Sequence, residues 1–299
     1  MRAVAIALTA AFSIAVLTAA AQSLAPSRNV EAWMVRVGER IEQYYARAHS
    51  IICEETVRLE PLGYDLLSNG DHIRQLVYEL RVSWDGATDA GSEQGKTSTA
   101  SVLRQLLTVD GRPPRPSDEP GCMDPKPVSP EPLGLLLPHR QNEFVFTWRG
   151  QGRERGRSSV TLNYTPTRVQ PAAVVWTDKC VSVDLPGRTR GRVWLDQATG
   201  DVLRLDEELT TQYEFPVPKS QARKGVLANT FIVERADSSI AYRLVSFQDP
   251  EESVMLPESI TSLQVIRNSG VPRLRTTQKF SKYRRFMTGS RIVEDSNQR

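Results

Sequence analysis

The sequence contains few of the residues that build catalytic and metal centres. Only three of its 299 residues are histidine, and His49, His72 and His139 form neither an HExxH motif nor a pair at i, i+4. No GxSxG nucleophile elbow is present, and the glycine-rich stretch at 91–97 has the wrong glycine spacing for a phosphate-binding loop. We therefore expect a non-enzymatic protein, with no catalytic residue, no metal and no cofactor.

Long apolar runs are missing beyond the N-terminus. Met1-Arg2, an apolar stretch from Ala3 to Leu17 and the small residues before Gln22 are typical of a cleaved export signal. No other segment approaches the roughly 18 apolar residues that a membrane-spanning helix needs. We expect residues 1–21 to be a signal peptide and the mature chain to be periplasmic or secreted, without a transmembrane segment.

A strong charge of one sign is also absent. Without residues 1–21 the chain keeps 37 basic and 35 acidic residues, because the signal segment holds one Arg and no acid. A net charge of +2 creates no overall field that would recruit nucleic acid. We expect a monomer with no nucleic-acid partner.

Cysteine is scarce, which limits covalent crosslinking. An exported chain with Cys53, Cys122 and Cys180 is expected to form one disulfide and keep one thiol, and three pairings are open. We favour Cys122 with Cys180, because a crosslink that holds a long loop to a strand stabilises the folded state most. Cys53 lies on an apolar strand face, where a buried thiol is ordinary.

One amphipathic helix precedes a long β-region. Apolar residues recur at helical spacing from Val30 to Ala48, and Asn29 is placed to cap the first turn. After Ser50 the period changes to two, most clearly from Leu76 to Trp84, with one apolar and one polar face. We predict strands at 51–60, 76–85, 102–109, 143–149, 159–164, 173–185, 190–196, 201–209, 229–235, 239–247, 260–266 and 273–280.

Two segments interrupt the strands. Residues 111–132 contain eight prolines, which deny hydrogen-bond donors to a sheet and predict an extended loop. Ser129-Pro130 can then begin a short second helix that runs through Leu137. Neither this segment nor 215–226 resembles a flexible Gly/Ser tether, so we expect one β-rich domain over 22–299 with a Pro-rich insertion at 111–132.

The predicted fold class is mainly β (α+β). We expect a curved antiparallel sheet or half-open β-barrel, with the amphipathic helix and the short second helix against it. Few helices are available to cover such a sheet, which leaves two interpretations of its aromatic residues. Either they fill the core, or they line an apolar cavity that takes acyl chains, with about 0.8 kcal/mol gained per buried methylene. The second hypothesis assigns the lining to Tyr78, Trp84, Phe144, Phe146, Trp148 and Trp194.

Basic residues suggest an alternative function. If the predicted hairpin turns converge on one rim, their charges would form a platform for anionic head groups or an acidic partner, over a packed core. A surface role that discourages edge pairing is the simpler interpretation. The clusters are Arg149, Arg153, Arg155 and Arg157; Arg188, Arg190 and Arg192; and Lys279, Lys282, Arg284 and Arg285.

The segment from Gly191 to Arg204, GRVWLDQATGDVLR, resembles the hairpin of the LolA-like lipoprotein-carrier superfamily. The stretch from Val245 to Pro250, followed by Leu256 to Ser259, is similar to the next strand and turn of that group. The resemblance covers roughly residues 140 to 290 and implies a half-open barrel that binds lipid or a lipoprotein on its concave face. It assigns no functional residue individually, and fold is transferred more safely than function.

Overall fold

The computed structural model of the chain describes residues 29–47, 51–68, 70, 72–84, 100–118, 125, 131–176, 180–219, 230–248 and 251–285. The predicted signal peptide and Cys122 lie outside these ranges, and so does the side chain of Trp84. Within the described part, no helix is both long enough and apolar enough to cross a membrane.

The described chain contains one α-helix, two short 3-10 helices and thirteen strands. The 3-10 helices are Glu131–Leu136 and Gln141–Glu143, and the first of them lies where the short second helix is predicted. The α-helix and strands are α1 (Val30–Arg47), β1 (Ile51–Pro61), β2 (Arg74–Trp84), β3 (Ala100–Val109), β4 (Phe144–Glu154), β5 (Arg157–Pro166), β6 (Ala173–Trp176), β7 (Val181–Asp184), β8 (Thr189–Asp196), β9 (Val202–Leu209), β10 (Tyr213–Pro216), β11 (Thr230–Gln248), β12 (Glu251–Arg267) and β13 (Arg273–Arg285).

Eleven strands form a single antiparallel sheet that does not close into a barrel. Its order is β3-β2-β1-β13-β12-β11-β9-β8-β5-β4, with β10 paired to β11, while β6 and β7 form a separate hairpin. The edges are β3 and β4, and bulges in the pairings of β2, β4, β8 and β11 add local twist. The predicted fold class, a curved antiparallel sheet with an N-terminal helix, is confirmed.

The longest strands differ from the prediction. The expected pair 229–235 and 239–247 is one continuous strand, β11, because residues 236–238 between them pair with β12 and Ser238 also pairs with β9. The partner β12 begins at Glu251, ahead of the predicted start at Ile260, and it includes Pro257, where the resemblance implies a turn. A bulge beside Pro257 accommodates the proline, which lacks a backbone donor. The predicted strand 173–185 is wrong too, since it is the hairpin β6–β7.

The hairpin that joins β8 to β9 fixes α1 to the sheet. Arg36 donates from Nη1 to the carbonyl of Gln197 at 3.1 Å, and its Nη2 donates to the carbonyl of Ala198. Arg40 donates from Nε to Asp201 Oδ1 at 2.9 Å. The polar side of the helix is therefore tied to the turn, while its apolar side packs into the core.

Asp196 holds this turn in shape. Its Oδ1 accepts hydrogen bonds from the backbone N–H groups of Ala198 and Thr199, both at 2.8 Å, and its Oδ2 pairs with Arg157 at 2.8 Å. Gly200 has φ +78°, as the sequence predicts for the residue that closes the hairpin. The residues that carry the family resemblance thus build a turn that receives α1.

We expect Asp196→Ala to lower the free energy of unfolding by about 2–4 kcal/mol, because two backbone donors and Arg157 lose a nearly buried acceptor. Asp65→Ala is the matched control, since Asp65 accepts from a backbone N–H in an exposed turn and should cost less than about 1 kcal/mol. Urea unfolding of both variants provides the measurement. Equal losses would contradict the structural role of Asp196.

Candidate ligand-binding faces of the sheet

The two faces of the sheet differ in chemistry. Successive side chains of a strand point to opposite faces. On β8, Val193 and Leu195 are fully buried in the core that contains α1, whereas Arg192 and Trp194 are only half-buried. We call the side packed by α1 the helix face and the opposite side the open face.

The part of the helix face beneath α1 is a packed core. Val37 of α1, Leu136 of the 3-10 helix and Leu162 of β5 are all fully buried in one cluster. The aromatic residues of the edge strand β4 are half-buried against that cluster. Side chains of the protein itself therefore fill this part of the face.

The rest of the helix face is apolar but is not covered by α1. Ile240, Ile260, Gln278 and Val57 are consecutive neighbours across four strands, which places β13 and β1 on the same face as the core under α1. Two clusters of buried side chains lie on this part of the sheet, and within the described ranges neither of them includes a side chain of α1. We call their buried residues the apolar wall: Cys53, Val57, Leu59, Leu76, Tyr78, Leu80, Val82, Val109, Leu274 and Phe280.

A charged pair lies in the middle of the apolar wall. The side chain of Glu55 is 0 % exposed and that of Arg104 is 11 % exposed. The guanidinium donates from Nε and Nη2 to the two carboxylate oxygens at 2.9 and 3.0 Å, and Gln278 adds a third donor at 2.7 Å. Such two-point geometry compensates for the loss of water around both charges.

Arg104 also connects the wall to the Pro-rich segment. Its Nη1 donates to the carbonyl of Pro125 at 2.7 Å, and its guanidinium lies over the ring of Tyr78 at 3.8 Å from the centroid. One side chain therefore contacts β1, β2 and a residue of the insertion. Pro125 is held over the wall at this point.

We expect Arg104→Met to lower the free energy of unfolding by about 3–5 kcal/mol, because it leaves the Glu55 carboxylate buried without its charge partner. The double variant Glu55→Leu/Arg104→Met removes both charges and should be less destabilised than the single variant, with a remaining loss of about 1–3 kcal/mol because Gln278 keeps a buried donor without its acceptor. Chemical denaturation of both variants tests the pair. A single variant as stable as the double would show that the buried charge carries no penalty.

The cysteines are only partly described. Cys180 is disulfide-bonded and Cys53 is a buried free thiol, while the pairing with Cys122 stays a prediction. Burial raises the pKa of the Cys53 thiol to about 12, and the nearby charge of Glu55 adds to the effect. The pKa of this thiol is higher in the folded protein than in the unfolded chain, where it is about 8.5. The stability that the protonated thiol contributes is therefore fully present below about pH 8.5 and is lost as the pH rises to about 12.

Cys53 should therefore resist alkylation in the folded protein at pH 8, because the reactive thiolate is almost absent there. Iodoacetamide treatment followed by mass spectrometry should leave Cys53 unmodified in buffer and modify it in denaturing urea. Alkylation at the same rate under both conditions would contradict the burial of this thiol.

The open face contains a polar hollow. Its volume is about 780 Å³, and it extends from β4 to β12. Side chains that line it include Thr147, Asn163, Arg192, Asp206 and Ser239, all on the face opposite α1. Four arginines and four acidic residues lie around it, so the lining carries no net charge.

Most of the predicted basic clusters are neutralised by acids. Arg190 pairs with Glu208 at 2.9 Å, and Arg157 pairs with Asp196 at 2.8 Å. In the third cluster, Lys282 pairs with a glutamate at 2.7 Å. The arginines of the β8 hairpin therefore do not form a free positive platform.

The described lining residues divide between two clusters. Tyr78 lies in the apolar wall, whereas Phe144, Phe146, Trp148 and Trp194 are half-buried against the core under α1. The ring centroid of Trp194 lies 5.2 and 4.9 Å from the guanidinium carbons of Arg192 and Arg204. Trp84 belongs to β2, but its side chain lies outside the described part.

Sequence reasoning missed Glu55 and Arg104. Glu55 lies between Cys53 and Val57 on the apolar side of β1, and an acid at such a position signals a buried partner. No group of three or more His, Cys, Asp or Glu residues within the described ranges is arranged to hold a metal ion.

The architecture defined by these faces is that of a half-open antiparallel sheet with one covering helix. An outer membrane lipoprotein-sorting protein domain from Vibrio parahaemolyticus is similar in structure, with 12 % identity, a TM-score of 0.42 and coverage of 87 % of this chain and 94 % of that one. A LolA superfamily protein from Nitrosomonas europaea is similar with 8 % identity, a TM-score of 0.34 and coverage of 85 % and 94 %.

A DUF1329 family protein from Desulfovibrio piger is also similar, with 12 % identity, a TM-score of 0.37 and coverage of 88 % and 95 %. No family model matches the sequence, and no curated protein matches it significantly. The half-open antiparallel sheet with a covering helix that the hairpin resemblance implies is the architecture observed in this chain. Ligand and partner must be argued from the residues of this chain.

Proposed function

We propose that the protein is an exported, non-enzymatic protein of the cell envelope, periplasmic or secreted, that binds lipid or lipoprotein acyl chains against the apolar wall. The supporting observation is that ten apolar side chains face the helix side of the sheet where α1 does not cover them. The core under α1 is filled by the helix. The side chains of the wall are equally buried, at 0–9 % exposure, but no α1 side chain belongs to their clusters within the described ranges, so a guest would have to displace a different cover.

The wall has the chemistry that an acyl chain requires. Leu59, Leu76 and Leu80 of β1 and β2 are aliphatic and at most 2 % exposed, so a guest would reach them by displacing what covers them, whereas Leu106 of the edge strand β3 is half-buried. A chain that buried about ten methylenes would gain about 8 kcal/mol before the cost of lost motion. The Glu55–Arg104 pair does not oppose this binding, since each charge is already hydrogen-bonded within the protein.

The alternative is an envelope interaction module with a packed core and a basic hairpin surface. The packed core under α1 fits this alternative. The charges do not, because Arg190, Arg192 and Arg157 each pair with a neighbouring carboxylate. Exposed pairs of this kind leave little net field for an acidic partner.

An enzyme assembled from distant residues receives no support from the titratable groups. The pKa of Glu79 is lowered first by a hydrogen bond from Arg81, and that of Asp118 is held well below its usual range first by a hydrogen bond from Arg112. Both carboxylates are half-buried partners of arginine and lie outside the hollow. Neither has the environment of a catalytic acid or base.

Binding of a dansyl-labelled undecanoic acid, followed by fluorescence, tests the lipid proposal. We expect the native protein to bind this probe and Leu106→Asn to weaken binding by about tenfold, because the variant places an amide on the apolar wall. Leu103→Asn on the same strand should change nothing, since Leu103 is 60 % exposed and alternates to the open face.

Native mass spectrometry of protein purified from its own envelope gives an independent measurement. Co-purified lipid should be present in the native protein and reduced in Leu106→Asn. Absence of both lipid and probe binding, or equal loss in the two asparagine variants, would refute the proposal. Melting curves for both variants ensure that only folded protein is compared.

A further inference from the structure

The polar hollow on the open face is crossed by a continuous row of hydrogen-bonding side chains. One residue from each of six adjacent strands contributes, and each is the direct cross-strand neighbour of the next. Five spacings of about 4.8 Å make the row about 24 Å long. The row is Thr147, Asn163, Arg192, Asp206, Ser239 and Thr261.

Several side chains of this row have unused hydrogen-bonding capacity. Thr147, Asn163, Ser239 and Thr261 make no side-chain hydrogen bond with any part of the chain that the structure describes. Hydroxyl and amide groups both donate and accept hydrogen bonds. The hollow therefore matches a ligand whose own groups also do both.

The side chains of the lining favour a hydrogen-bonding ligand over an acyl chain or a polyphosphate. Val145 and Leu263 are its large aliphatic residues, so an acyl chain would bury little apolar surface there. The four arginines are balanced by four acids, which does not suit a polyphosphate backbone. A volume of about 780 Å³ is nevertheless ordinary for a small-molecule or oligomer site.

We propose that the hollow binds an extended oligosaccharide chain that carries an acidic group. Sugar hydroxyls complement the free hydroxyl and amide groups of the row, and the length of the row suits an extended chain better than a single head group. The site lies on the opposite face from the apolar wall, so the proposal does not depend on lipid binding.

Arg149 provides the recognition of the acidic group. The other three arginines of the lining, Arg190, Arg192 and Arg235, form ion pairs with acids, whereas Arg149 has no ion pair within the described ranges. It is exposed at the β4 end of the hollow. A guanidinium in this position binds a carboxylate through two parallel hydrogen bonds.

Isothermal titration calorimetry with a galacturonic acid pentamer and with maltopentaose tests this site on the full mature chain. We expect the acidic pentamer to bind about tenfold more tightly than the neutral one. Arg149→Gln should remove that preference, so that the two pentamers bind with similar affinity. Asn163→Ala, in the middle of the row, should weaken both sugars.

Arg153→Gln is the matched control, because Arg153 is exposed on the same strand but does not line the hollow, and its binding should equal that of the native protein. The proposal is overturned if neither pentamer binds, if Asn163→Ala binds both as tightly as the native protein, or if inorganic phosphate binds as tightly as the acidic pentamer. Asn163→Ala should bind dansyl-undecanoate as tightly as the native protein does. Failure of the oligosaccharide proposal can therefore be distinguished from failure of the lipid proposal.

Discussion

The structure depends on how the chain covers one apolar face of a sheet that does not close. α1 has 18 residues and is about 27 Å long, whereas ten strands side by side span about 43 Å. A single helix cannot cover one whole face of such a sheet. The chain therefore covers the face in two ways, with α1 packed over the strands around β5, β8 and β9, and with Pro125 tied over the strands around β1.

The two covers are attached by different interactions. α1 contributes a continuous apolar stripe that joins a large core, and Arg36 and Arg40 then fix its position against a turn. The insertion instead contributes a backbone carbonyl to a guanidinium whose charge is already matched by Glu55. Burial of a large apolar surface is worth far more than one hydrogen bond.

Periodicity predicted most of the fold, because it follows from which side chains must be buried. The helix predicted from Val30 to Ala48 is observed as Val30–Arg47, and the alternation from Leu76 to Trp84 lies within β2. The hairpin around Gly200 was also recognisable, since few residues other than glycine adopt its positive φ. These features depend on local sequence alone.

Features that depend on the tertiary partner were not predictable. A polar stretch around Ser238 resembles a turn, yet pairing on both sides continues β11 through it. Trp194 belongs to the aromatic pattern of the sheet, but its ring is stabilised by flanking guanidinium groups rather than by a cavity. Glu55 could be recognised as exceptional from its apolar neighbours, but Arg104, its partner, lies 49 residues further along the chain.

The residues of the open-face row are difficult to explain by strand formation alone. Threonine favours strands, so Thr147 and Thr261 require no further reason. Asn163 and Asp206 are depleted in strands, and both lie on inner strands where propensity and pairing favour β-branched or aromatic residues. The carboxylate of Asp206 accepts hydrogen bonds from Arg204 at 2.7 and 3.0 Å and pairs with Arg192, which explains its presence without a ligand. Asn163 makes no such bond within the described ranges, so its cost in strand propensity is better explained by a ligand that uses an amide than by the needs of folding.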